Sequence, residues 1–160
     1  MKRLRMTSLK VYEWEERIKT SYKKIKSGDI FCFALGSKKY GVGRIMTPNS
    51  LGHVVEIFDK VLTVPVVDSV SFERLGDPVI LDSYSLFDRK AEGDWRIVAY
   101  ESDYRPSNQE SVRYVYGVAD NVRLVDIFDN ETSLTGSKRD YPSYSPMGDK
   151  DVKEMFRYFG

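Results

Sequence analysis

The sequence predicts an α+β fold: a mostly antiparallel, strongly curled β-sheet or small barrel, with an N-terminal helix and a short C-terminal helix. Three observations lead there. Apolar residues recur at helical spacing before Gly28, short apolar runs divided by turn residues follow it, and helical spacing returns in the last ten residues.

Val11, Trp14, Ile18, Tyr22 and Ile25 stand three and four apart, which puts them on one stripe of a helix over residues 9–25. Lys23, Lys24 and Lys26 suit the C-terminal end of such a helix, and Gly28 can take the left-handed conformation that ends one. A short strand over residues 9–14 competes with this reading, because Val, Tyr and Trp also favour strands. Residues 30–35 are apolar at every position and so read as a central strand covered on both faces. Residues 40–46 form its partner, with Gly41 and Gly43 on one side, where a ring or another backbone can approach. Residues 54–58, 62–67, 79–81, 95–100, 114–118 and 122–128 are the remaining strand candidates. Turn signals such as Pro48-Asn49, Gly76-Asp77-Pro78, Gly93-Asp94 and Asp120-Asn121 separate most of them. Closely spaced strands without helices between them indicate antiparallel pairing. Residues 130–149 read as a surface loop, and Val152, Met155, Phe156 and Phe159 mark one face of a closing helix. The 160 residues fit a single domain: a helical arm over 1–27, a β core over 28–129, and a loop and closing helix over 130–160.

A composition of 41% hydrophobic and 31% charged residues excludes a disordered chain, and no apolar run approaches the length of about 20 residues that spans a bilayer. The basic start, MKRLRMTSLK, is followed by Tyr12, Glu13, Trp14, Glu15 and Glu16 where an export signal would place its apolar stretch. Cys32, the single cysteine, lies between Phe31 and Phe33 and reads as a buried thiol. Both features predict a cytoplasmic protein with no membrane partner. Residues 1–26 hold nine Lys/Arg and three Asp/Glu, leaving 16 positive against 21 negative side chains in the rest. An acidic body of this kind argues against gripping a phosphate backbone and for a basic protein partner.

The inventory of reactive groups is short. His53 is the only histidine, so neither a histidine acid–base pair nor a two-histidine metal site can form. Gly36-Ser37-Lys38 joins two strands instead of opening a helix, and Gly41-Val42-Gly43 lacks the third glycine of a dinucleotide loop. Asp77, Asp82, Asp88 and Asp94 are too far apart for a calcium loop. No catalytic, cofactor or metal site is therefore expected, and the chain reads as a binding protein and not an enzyme. Tyr84, Tyr104, Tyr141 and Tyr144 fall in predicted loops, where tyrosine serves as a contact residue between proteins. Tyr84 and Tyr104 fall within an acidic segment over residues 82–110, whose simplest account is a solvated face. As a partner surface it would steer a basic protein, and the candidate contact residues are Asp82, Tyr84, Asp88, Asp94, Asp103 and Tyr104.

In IKSGDIFCFALGSKKYGVGRIM, Lys26, Gly28, Asp29, Ile30 and Phe31 lead into a hairpin that returns through Tyr40, Gly41, Gly43, Arg44 and Ile45. With VVEIFD at 54–59 and GDWRIVAYE at 93–101, this pattern resembles the immunity protein 26 family over about residues 12–101. The resemblance implies a bacterial cytoplasmic protein of a contact-dependent or polymorphic toxin system. Such a protein binds the C-terminal toxin domain, a nuclease in many cases, and blocks it stoichiometrically; its oligomeric state is left open. Small SH3-like barrels that bind or cleave RNA open with a similar strand, and in that alternative Arg44, His53 and the loop tyrosines would face the nucleic acid. In the first reading Arg44 pairs with an acidic neighbour and the motif is scaffold.

Overall fold

A computed structural model describes residues 8–159. Strands β1 (Leu9–Val11), β2 (Asp29–Gly36), β3 (Lys39–Pro48), β4 (His53–Leu62), β5 (Val79–Leu81) and β6 (Trp95–Glu101) form one antiparallel sheet in the order β1-β6-β2-β3-β4-β5. Strands β7 (Tyr114–Tyr116), β8 (Arg123–Val125) and β9 (Glu131–Ser133) form a second, three-stranded sheet, and helix α1 (Asp149–Phe159) follows.

Strand β2 lies in the middle of the large sheet and is buried on both faces, as its unbroken apolar run requires. Phe31 and Phe33 point to one face, where they meet Trp95, Ile97, Ile45 and Ile57 under Leu86, Phe87 and Val152. Phe33 stacks on Trp95 with centroids 4.1 Å apart, and Phe87 meets Phe31 edge-on at 5.5 Å. Ile30 and Cys32 point to the other face and pack with Val42, Phe58 and Val98 beneath Val67. Farther along that second face, Met46, Val54 and Ile80 pack against Val112, Tyr114 and Ile127. Burial of Cys32 pushes its thiol up to about 12.

The predicted N-terminal helix does not form. Leu9, Lys10 and Val11 instead extend the sheet by pairing with Glu101, Tyr100 and Ala99 of β6, and the chain then passes through a turn to a short 3₁₀ segment at Tyr22–Lys24. The apolar residues of the supposed stripe go to separate places. Trp14 lies against Tyr40, Ile25 enters the core of the opposite face, and Val11 and Ile18 stay exposed. Val, Ile, Trp and Tyr are weak helix formers, so a free strand edge on β6 outcompetes the helix. A short strand at this position was the competing reading.

The sheets are also neither closed nor strongly curled. Closure would require β1 to pair with β5, but the two remain the separate edges of the sheet, and β5 is three residues long and preceded by Pro78. Gly41 and Gly43 instead make room for rings. A Cβ at Gly43 would lie 2.5 Å from the Phe31 ring and 2.6 Å from the Glu56 carbonyl oxygen, while one at Gly41 would collide with the Phe33 ring. The predicted strand over 62–67 is absent as well, because β4 runs unbroken to Leu62 and the following segment folds back over Phe58.

The supposed loop over 130–149 contains β9 and a stretch that works as a strap. Val115 donates its N–H to Pro142 O, Tyr144 donates to Val115 O, Met147 donates to Ile80 O, and Asp82 donates to Met147 O. Residues 142–147 thus join β7 of the small sheet to β5, the edge of the large one, before α1 begins.

Candidate functional site

Between β5 and β6 the chain makes a single π-helical turn at Tyr84–Asp88, a form enriched at functional sites. Two adjacent apolar residues explain its width: Leu86 and Phe87 are both fully buried, and the wider turn points both inward while Tyr84 and Arg89 remain outside. Arg89 closes the turn by donating its N–H to Tyr84 O at 2.9 Å, and Asp82 Oδ1 accepts from the Ser85 N–H. Tyr84 is 48% exposed, and its ring meets the Tyr22 ring edge-on at 5.9 Å.

The N-terminal segment braces this turn. Thr20 donates its N–H to Phe87 O, and Tyr22 donates its N–H to Asp88 Oδ2 at 2.8 Å, with Lys19 Nζ 3.8 Å from the same carboxylate. Below lies His53, buried, with Nδ1 2.5 Å from Ser83 Oγ and a hydrogen bond to the Ile25 backbone. Burial lowers the imidazole to about 4, so the ring is neutral near pH 7. The bond to Ile25 uses the ring N–H, and Ser83 therefore donates to Nδ1. A serine beside a histidine invites a nucleophile reading, but Ser83 is completely buried and no substrate can reach its oxygen. The pair acts as a lock holding β4, the N-terminal segment and the turn together.

The six candidate contact residues do not form one patch. Asp82, Tyr84 and Asp88 lie together on the turn. Asp94 precedes β6, where Lys90 and Arg96 bind it; partial burial alone would raise its carboxyl, but the Arg96 guanidinium outweighs that and holds it below the usual range. Asp103 and Tyr104 lie past the other end of β6, a strand about 23 Å long. Asp103 accepts from the Ser8 hydroxyl, and the Tyr104 ring stacks on the Arg44 guanidinium at 4.2 Å. Burial, with the Glu56 charge adding to it, raises the Tyr104 phenol to about 12.

Arg44 is likewise committed internally. It binds Glu56 Oε2 at 2.7 Å and Glu101 Oε1 at 2.7 Å, while Arg74 takes the other Glu56 oxygen and reaches Glu110. Glu56 is nearly inaccessible, and both of its carboxylate oxygens are paired with these two guanidinium groups. The Lys26–Asp29 pair is scaffold too: Asp29 accepts the Lys26 N–H at 2.9 Å where the chain enters β2.

The family model of Immunity protein 26 matches residues 26–126. The chain belongs to that family. No curated protein and no solved structure matches it. Membership of an immunity protein family implies toxin neutralisation as the role, a cognate toxin as the partner, and the task of an inhibitor rather than that of an enzyme. The match spans β2 to β8 and the whole π turn, and stops before the strap and α1. Sequence reasoning named Asp82, Tyr84 and Asp88, which the structure places at and just before the turn, but missed the bracing by Tyr22 and the Ser83–His53 lock, which depend on contacts across 30 to 66 positions. Only the adjacency of Leu86 and Phe87 hinted at an unusual turn.

Proposed function

We propose that this immunity protein blocks the C-terminal toxin domain of a contact-dependent or polymorphic toxin, a basic nuclease, by stoichiometric binding in the bacterial cytoplasm. The contact includes Asp82, Tyr84 and Asp88. The family match carries the reading, and the exposed Tyr84 on a turn braced from below supports the placement, because a rigid aromatic loses little entropy on binding. The acidic body favours encounter with a basic partner. No helix among the described residues is long and apolar enough to cross a membrane. The RNA reading keeps only its loop tyrosines, since Arg44 is ion-paired and His53 is buried.

Co-expression with the toxin domain encoded beside this protein should restore growth and give a complex that co-elutes. A toxin that still kills and never co-elutes would end the proposal. Tyr84→Ala should weaken the complex about tenfold, the loss of a little over 1 kcal/mol, without changing thermal stability. Undiminished affinity would place the contact elsewhere.

A further inference from the structure

Two residues before the π turn begins, where Asp82 bonds to Met147, a groove of about 410 Å³ opens beside β5. Its volume is that of a small ligand site. Its walls are apolar and come from two sources: Pro78, Val79 and Ile80 from the region matched by the family, and Pro146, Met147 and Met155 from the strap and helix beyond it. Asp77 and Asp151 also line it, and among the described residues no Lys or Arg does. Both aspartates are exposed. Asp151 uses Oδ2 to accept the Gly148 N–H, which leaves its other oxygen available.

Apolar walls beside carboxylates, with no cation among the lining residues, match a long aliphatic stem that ends in a positive charge. Lys and Arg bury their methylenes in this way and keep the charged head at a polar rim. We propose that the groove holds an arginine or lysine side chain presented by the toxin. The assignment to the toxin rests on the binding role proposed above, whereas the preference for a cation follows from the groove itself. The strap and α1 supply part of the groove's wall, Asp151 included, so part of the surface that selects a partner lies outside the stretch that the family model matches.

The test uses the full-length protein, two short peptides, acetyl-Leu-Arg-Leu-amide and acetyl-Leu-Glu-Leu-amide, and amide chemical shifts. The arginine peptide should shift Asp77, Ile80 and Met147 saturably, with a dissociation constant of about 1 mM or tighter, and the glutamate peptide should not. The Asp77→Asn and Asp151→Asn variants should each weaken the arginine peptide several-fold, as should raised salt. Absence of saturable shifts, equal binding of the two peptides, or indifference of both variants would overturn the inference. Peptide binding by a protein that fails to protect against the toxin would leave the groove's chemistry standing and remove the toxin as its occupant. Protection without peptide binding would overturn the groove and leave the immunity role intact.

Discussion

At Gly43 the space for a side chain is already taken by the Phe31 ring and the Glu56 carbonyl. Gly43→Ala should therefore destabilise the protein by about 2–3 kcal/mol, measured as a lower urea midpoint, and Phe31→Leu in the same chain should recover part of the loss. Sequence alone showed that two glycines on one side of a strand would admit a ring; it did not show which rings, because the register between β2 and β3 decides that. His53 makes a second test. Its folded value of about 4 lies below the unfolded value of 6.5, so the unfolded chain binds the proton first as pH falls. Stability from this group is complete above about pH 6.5, drops between 6.5 and 4, and changes no further below that. Between pH 7 and pH 5 the wild type should lose about 2 kcal/mol more than His53→Gln, read from urea unfolding at both values. Equal losses would mean that the imidazole is not held neutral.

Among the elements, the strands of the large sheet were largely legible, since runs such as residues 30–35 and 95–100 are too apolar and too short to be anything else. The N-terminal segment was not. Its spacing fits a helix, and only the free edge of β6, assembled some 90 residues later, turns Leu9 to Val11 into a strand. The strap was illegible for the same reason: PSYSPM has no period, and its order comes from hydrogen bonds to β5 and β7. Met147→Pro would remove the N–H donated to Ile80 O. Amide exchange at Asp82, Val115 and Tyr144 should then accelerate while that of Phe31 to Phe33 and Val42 stays slow. Equal acceleration throughout would show that the strap and the large sheet open as one unit.

Across the whole molecule, the large sheet is covered on both faces, and its reactive-looking residues are spent internally: Arg44 on carboxylates, His53 on Ser83, Cys32 in the core. The proposed contacts use instead the exposed Tyr84 on its turn and the groove beside β5. The most recognisable motif identified the family because it builds the sheet, and it says nothing of a contact surface because exposed residues leave no periodic trace. The strap also has a bearing on time. It joins Met147 to Leu81 and Ser143 to Val115, loops that are long in sequence and entropically late to close. On a ribosome the outer edges of β5 and β7 must therefore wait, unpaired, until residue 147 has emerged. A half-made copy offers neither a finished groove nor a covered edge, so a cell's protection against its toxin is counted in completed chains, not in messages begun.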